Sequence, residues 1–310
     1  MIRLLLAAIF LLLSATLAEA AVCSVDSIGD LDFGNVDTIG NTPATTSATV
    51  AVSCSGVTEG TSTITMCANI GVGDVGESQG LREAASPGGG TLLFSLSGDG
   101  SVPWGSSSAP ELGDPYEIDL PVSDGSASGS VTLHGTVPSG QQTAPVGDYS
   151  ASFSGANVDF KYAEGSHDCS SLAAEGDATA SFVVIASVPA NCLLQTHDLD
   201  FGATGLIGRN IDATTTISVA CAPGIDYAIS IDGGGSGDPD HRVMTSGQRS
   251  VAYGLFKDAG HSDNWGMDSE ATQPVSGDGT VHDSTVFGRI PPQSAAPGSY
   301  SDRVVVTIEY

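Results

Sequence analysis

The chain has 310 residues and a formal net charge of −27 at pH 7, and 40 of its residues are glycine. So large a negative charge argues against binding to nucleic acid or to an anionic membrane, because both are recognised through clusters of Lys and Arg. Abundant Gly, Ser and Thr, and no amphipathic helical period after residue 20, favour an all-β protein of strands and turns.

The first 20 residues have the pattern of a secretory signal peptide. Arg3 precedes an apolar run over residues 4–13, and residues 18–20 form an A-x-A cleavage site. The run is too short to cross a bilayer, and no later stretch is long and apolar enough to do so. The sequence therefore predicts an exported protein without a membrane span.

The rest of the chain contains two copies of one unit. In the first copy, Cys23 is followed by LDFG at residues 31–34 and by the strand-like SATVAVSC, which ends at Cys54. The corresponding features of the second copy are Cys192, LDFG at residues 199–202, and TTTISVAC ending at Cys221.

The two copies also end alike. LHGTVP at residues 133–138 corresponds to VFGRIP at residues 286–291, and each copy ends in a strand closed by a tyrosine, Tyr162 or Tyr310. The repeat predicts a signal peptide over 1–20 and two domains, 21–188 and 189–310, each of a size that suits a β-sandwich.

The copies differ in the strands at their ends. Residues 179–188 alternate between apolar and polar side chains and predict a strand after the first copy, whereas only Ala21 and Val22 separate the signal peptide from Cys23. The last strand of the second copy has one apolar face, and no residues follow it. We expect this face to be the edge of a groove that needs a strand from elsewhere; it carries Val304, Val306, Ile308 and Tyr310.

Six cysteines in an exported chain indicate disulfide bonds. The repeat pairs Cys23 with Cys54, and Cys192 with Cys221, at separations of 31 and 29 residues. By elimination, the remaining bond joins Cys67 to Cys169.

Several short motifs of the second copy occur together in one order. They are Arg242-Val-Met, Tyr253-Gly-Leu-Phe-Lys-Asp, Asn264-Trp-Gly, Val286-Phe-Gly-Arg and Pro297-Gly-Ser-Tyr-Ser-Asp. In these motifs the second copy resembles the spore coat protein U domain, the pilin domain of archaic chaperone–usher pili. The first copy resembles it more loosely, and two such domains in tandem are similar to the tip adhesin of Csu-type pili.

The resemblance implies two tandem immunoglobulin-like sandwiches, of which the second is incomplete and needs a donor strand. It implies export through the periplasm to the surface of a Gram-negative cell, as part of a pilus for attachment and biofilm formation. The partners implied are a periplasmic pilus chaperone, an outer-membrane usher, the next pilin subunit and an abiotic or host surface, with no cofactor. A subunit with no strand to lend would sit at the end of the fibre.

The first copy is longer in its middle, and long loops are a common place for binding. We expect surface binding within residues 102–116, through an apolar set that contains Val102, Pro103, Trp104, Leu112 and Tyr116. The alternative is that Trp104 packs in the core.

Two other functions stay open. One is a structural subunit of a pilus or spore coat without a binding site. The other is a secreted hydrolase, since GESQG at residues 76–80 matches the G-x-S-x-G motif and would make Ser78 the nucleophile. No helical pattern follows Ser78, so the motif favours a Gly-rich loop and a protein that is not an enzyme.

Overall fold

The computed structural model describes residues 21–267 and 275–310 as strands, turns and short 3₁₀ segments. The 3₁₀ segments are Asp99–Ser101, Pro110–Leu112, Gly155–Asn157 and Gly234–Ser236. None of the helical segments in these two ranges has the length and apolar character needed to cross a membrane. The protein is all-β, which confirms the fold class predicted from the sequence.

Thirteen strands form the first sandwich. They are β1 (Val22–Ile28), β2 (Leu31–Asn35), β3 (Ala44–Ser55), β4 (Thr63–Ile70), β5 (Glu77–Ser78), β6 (Leu81–Ala85), β7 (Thr91–Ser97), β8 (Tyr116–Ser123), β9 (Ser126–Val137), β10 (Gly147–Phe153), β11 (Val158–Glu164), β12 (Gly176–Thr179) and β13 (Phe182–Val188).

The second sandwich is built from the strands that follow Val188. They are β14 (Cys192–Thr196), β15 (Ile211–Cys221), β16 (Asp226–Ile231), β17 (Val243–Ser246), β18 (Arg249–Ala252), β19 (Gly254–Phe256), β20 (Val275–Ser276), β21 (Val281–Ile290) and β22 (Val306–Glu309).

The strands form where apolar and polar residues alternate, because successive side chains of a strand point to opposite faces of the sheet. In β7, for example, Leu92, Phe94 and Leu96 are buried, while the residues between them are partly exposed. Each sandwich has its own hydrophobic core, one within residues 21–188 and the other within residues 192–308.

One sheet of the first sandwich contains β6, β10, β13 and β2, the other contains β12, β11, β4 and β8, and two segments of the chain pass between them. β10 and β11 follow each other across Gly155–Asn157; β10 pairs with β6 and β13, whereas β11 pairs with β4 and β12. The strand predicted at residues 179–188 behaves in the same way. Its first residue, Thr179, ends β12, which pairs with β11, and residues 182–188 form β13, which pairs with β10, because residues 180 and 181 carry the chain between the two sheets.

The two sandwiches meet end to end through a few polar contacts. The Val146 N–H donates to the Pro223 carbonyl at 3.0 Å, and Asn191 Nδ2 donates to Asp37 Oδ1 at 2.9 Å. The loops at the opposite end of the first sandwich are residues 56–62, 124–125 and 165–175, where β3, β8 and β11 finish. We call these three loops the distal loops.

Disulfide bonds join Cys23 to Cys54, Cys67 to Cys169, and Cys192 to Cys221. The first and third lie at equivalent places, since each joins the first strand of a sandwich to its antiparallel neighbour. The second fixes one distal loop, because Cys169 lies within residues 165–175 and Cys67 lies on β4.

Candidate functional site: an open groove in the second sandwich

In the first sandwich, β13 fills the space between two other strands. It runs antiparallel to β10, with Ala186 opposite Tyr149 and Phe182 opposite Phe153, and parallel to β2, with Val184 opposite Leu31. Every second side chain of β13 is buried at 6% exposure or less; these are Phe182, Val184, Ala186 and Val188. This strand therefore supplies one row of the first core.

The second sandwich contains segments that correspond to β2 and β10, the two neighbours of β13, and we call these segments the flanks. Residues 199–202 repeat the LDFG of β2, and residues 300–304 correspond to β10. Neither flank is a strand in the structure, and no described strand lies between them. Residues 300–304 keep only an isolated bridge, from Ser301 to Thr245 of β17. We call the space between the flanks the groove.

The LDFG flank is already in place beside the groove. In the first sandwich, a methyl group added at Gly135 would lie 2.8 Å from Phe33 Cζ. In the second, one added at Gly288 would lie 2.8 Å from Leu199 Cδ1 and 2.9 Å from Phe201 Cζ. The flank thus packs on a glycine of the facing sheet in both copies.

The open groove leaves apolar side chains partly exposed. Leu31 is 0% exposed and Tyr149 is 1% exposed, whereas their counterparts Leu199 and Tyr300 are only half-buried. Phe33 and Phe201 differ in the same way. Burial of apolar surface stabilises a fold by about 25 cal/mol per Å². A strand that entered the groove would therefore be stabilised by the burial of these partly exposed side chains.

On the C-terminal flank, Val304, Val306 and Ile308 are half-buried against the second core, while Tyr310 lies beyond β22 and is 60% exposed. Asp302 occupies the inward position that Ala151 holds in the first sandwich. Its carboxylate accepts hydrogen bonds from the hydroxyl of Tyr253 at 2.7 Å and from the Gly235 N–H at 2.9 Å.

These contacts give Tyr253 an unusual environment. Burial raises the pKa of its phenol well above the usual range, and the hydrogen bond to Asp302 acts in the same direction. The phenol therefore stays protonated and continues to donate to the Asp302 carboxylate, which holds residues 300–304 against the interior.

Each sandwich contains a buried arginine that donates to several backbone carbonyls. Arg82 is 1% exposed and donates to the carbonyls of Ile70, Gly71 and Trp104. The equivalent Arg242 is 0% exposed; it donates to the carbonyls of Ile231, Asp232, Pro239 and Trp265. Burial lowers the pKa of both, that of Arg82 to about 9.

The tryptophans beside these arginines are also equivalent. Trp104 Nε1 donates to the Ala68 carbonyl at 2.9 Å, and Trp265 Nε1 donates to the Ile229 carbonyl at 3.1 Å. Sequence reasoning missed the role of Arg82. The signal that could have revealed it is the Trp-Gly pair about 20 residues after an arginine in both copies.

The profile of the spore coat protein U domain matches residues 9–154 and 178–307. The chain belongs to the spore coat protein U domain family. The second of these spore coat protein U domains begins, in the profile, at residue 178, yet β13 completes the first sandwich. The family model thus assigns β13 to the second domain, whereas in the structure β13 is a strand of the first sandwich.

Among solved structures, the chain is similar to the CsuC–CsuE chaperone–tip adhesion subunit pre-assembly complex from archaic chaperone–usher Csu pili of Acinetobacter baumannii. Identity is 15%, the match covers 93% of this chain and 100% of that chain, and the TM-score is 0.58. The likeness shows a shared fold. The CupB6 tip adhesin from Pseudomonas aeruginosa matches at 13% identity over 93% of this chain and 94% of that one, with a TM-score of 0.37. No curated protein matches the chain in sequence.

The structure places much of the expected binding set of the first spore coat protein U domain in the core, as in the alternative considered for Trp104. Trp104 is 0% exposed and Leu112 is 6% exposed, and the Trp104 ring stacks on half-buried Tyr116 at 4.6 Å between centroids. Only Val102 and Pro103 are exposed. The loop turns inward because the Trp104 indole N–H reaches a core carbonyl, so most of the apolar set belongs to the core.

Ser78 does not lie on a strand-to-helix turn. It belongs to β5, and Ser78 pairs with Leu81 of β6 in a tight hairpin. A nucleophile elbow requires a helix directly after the serine. The geometry therefore gives no support to the hydrolase.

Proposed function

We propose that this protein is the tip subunit of a chaperone–usher pilus and that its second sandwich joins the fibre by accepting a strand from another subunit. The observation that carries the proposal is β13. This strand directly precedes Cys192, and it fills in the first sandwich the space that is open in the second. The chain thus contains one filled and one unfilled example of the same site, and strand addition to a sheet is a common mode of recognition.

The open groove also accounts for the partners. Half-buried apolar side chains beside unpaired backbone favour aggregation, so an exported subunit needs a chaperone to cover them before assembly. In this proposal a periplasmic chaperone lends a strand first, an outer-membrane usher receives the complex, and the next pilin subunit replaces the chaperone strand. The subunit acts by assembly and contact and is not an enzyme.

The tip position rests on the residues ahead of Cys23. The stretch that corresponds to β13 in the second copy falls, in the first, on the signal-like residues 1–20 and on Ala21 and Val22. We propose that residues 1–20 are removed on export and that the mature domains are 21–188 and 189–310. With residues 1–20 removed, only Ala21 and Val22 stand ahead of Cys23, which supports a place at the end of the fibre.

The distal loops are then the part of the protein that faces a surface, because they lie at the end opposite to the second sandwich. They carry exposed Ala173 and Ala174, while Val22 beside them is 62% exposed. An acidic protein gains nothing from Coulomb attraction to a negatively charged surface, so apolar contact is the better driving force. The target is an abiotic or host surface.

The experiment is surface attachment by cells that produce the fibre. Ala173→Asp together with Ala174→Asp is expected to reduce attachment several-fold without changing the amount of fibre. The parallel variant Val102→Asp tests the loop at residues 102–116, and a loss of attachment there in place of the distal loops would put the binding site in that loop. Attachment that survives deletion of residues 21–188 from a normally assembled fibre would favour the structural subunit without a binding site.

A further inference from the structure

The site on the second sandwich extends beyond the groove to the free edge of β22. We propose, on the basis of the proposed function, that the incoming strand has two segments. The later segment fills the groove as β13 does, and the earlier segment pairs with β22 as β12 pairs with β11. The occupant is an extended strand from another subunit that changes sheets midway.

The evidence begins with β12 and β13, which are consecutive in the chain. β12 lies along the edge of β11 that faces away from β4, with Ala178 opposite Phe160 and Gly176 opposite Tyr162. Ala178 is 7% exposed and belongs to the first core. The strand that completes the first sandwich therefore covers both sheets and not one.

The corresponding edge in the second sandwich is open. β22 pairs with β16 in the register in which β11 pairs with β4, and no other described strand adjoins it. The side chains around this edge are apolar and under-covered: Ile308 is half-buried, Tyr310 is 60% exposed, and Leu194 of β14 is 39% exposed. In the first sandwich the counterpart of Leu194 is Val25, which is half-buried against the core.

The geometry also indicates which residues the earlier segment of the incoming strand should carry. A methyl group on Gly176 would clash with the Tyr162 hydroxyl group, because the Tyr162 ring covers the glycine. Tyr310 occupies the position of Tyr162 and is 60% exposed, whereas Tyr162 is 5% exposed. The earlier segment of the partner strand should therefore carry glycine opposite Tyr310 and a small apolar residue opposite Ile308.

The test appends strands to the full chain after Tyr310, through a Gly/Ser linker as long as residues 163–175. The long donor copies residues 176–188. The short donor keeps residues 182–188 and replaces 176–181 by Gly and Ser. A third donor is the long one with Ala178→Asp in the appended copy, and a fourth carries Val184→Asp and Ala186→Asp there. Hydrogen exchange of backbone amides is measured over residues 300–304 and over β22, with β10 and β11 as internal references.

The long donor is expected to slow exchange by about tenfold or more in both regions. The short donor should slow exchange only over residues 300–304, and Ala178→Asp should remove protection from β22 alone, because it buries a charge beside Ile308. Equal protection of β22 by the short and long donors would overturn the two-segment site and leave the proposed function standing. If no donor protects residues 300–304 better than the fourth one does, the proposed function fails, and this inference fails with it.

Discussion

At the scale of single residues, each sandwich depends on a buried guanidinium that ties together carbonyls at the end of a strand. Arg82 donates to the carbonyl of Ile70, the last residue of β4, and to that of Gly71, which follows it. It also donates to the carbonyl of Trp104. A buried polar group that loses its hydrogen-bond partner costs about 1–3 kcal/mol.

Replacing this arginine should therefore destabilise the fold far more than replacing an exposed one. We expect Arg82→Met to lower the free energy of unfolding by about 3–5 kcal/mol, because several acceptors lose their donor at once. The matched control is Arg289→Met, which removes a partly exposed ion pair with Asp212 and should cost much less than Arg82→Met. Urea unfolding measures both; similar losses for the two variants would contradict the assigned role of Arg82.

Asp258 gives a residue-scale prediction about pH. Its carboxylate accepts hydrogen bonds from the N–H groups of Asp263 and Ser262 and from the Ser262 hydroxyl, and these lower its pKa to about 2. A carboxyl with a lowered folded-state pKa stabilises the fold fully above its unfolded pKa, and the contribution disappears as the pH falls through the folded value.

The stability difference between the natural chain and Asp258→Asn should therefore be constant near neutral pH and shrink between about pH 4 and pH 2. Thermal unfolding across this range measures it. A difference that is independent of pH would show that the carboxylate charge contributes nothing.

At the scale of elements, the groove depends on the fit between the LDFG flank and β21. Gly288 faces Leu199 and Phe201 so closely that a methyl group would displace their side chains. We expect Gly288→Ala to cost about 1–3 kcal/mol by overpacking and to weaken protection of residues 300–304 by the appended donor. The control is Gly208→Ala, where no atom lies within 4 Å of the added methyl. Equal behaviour of the two variants would contradict the packing described for the flank.

The sequence predicted the strands and the repeat because their alternation and spacing follow directly from the geometry of a sheet. It did not predict the break between β12 and β13, since residues 179–188 alternate without interruption while the chain passes between sheets. It left the place of Trp104 open between the core and the surface, and it put Leu112 in a binding loop. A Gly-rich stretch can turn either outward or inward. The hydrogen bond from Trp104 to the Ala68 carbonyl holds this one inward, and the sequence does not reveal that contact.

At the scale of the whole molecule, the protein has two unlike ends. The distal loops are stabilised by the Cys67–Cys169 bond, which closes a separation of 102 residues. The other end carries the groove and the free edge of β22. Such an arrangement suits a subunit that is held at one end and makes contact at the other.

The long Cys67–Cys169 bond should matter more for stability than the short ones. In the chain-entropy view, a loop of this length contributes about 4.7 kcal/mol, and the 29-residue loop from Cys192 to Cys221 about 3–4 kcal/mol. Replacing Cys67 and Cys169 by Ser should lower the unfolding free energy of the first sandwich more than the Cys192 and Cys221 replacements lower that of the second. Non-reducing peptide mapping of the natural chain is the control, and a Cys54–Cys67 linkage there would contradict the pairing.

The central claim is that the second sandwich lacks the strand that completes the first. The most direct measurement is hydrogen exchange of the unmodified full chain, because both sandwiches are compared in one molecule. We predict slow exchange for the β10 amides that pair with β13 and fast exchange for the corresponding amides of residues 300–304, at least about a hundredfold apart. Equal, strong protection of both segments would show that the groove is closed in the free protein and would contradict the account.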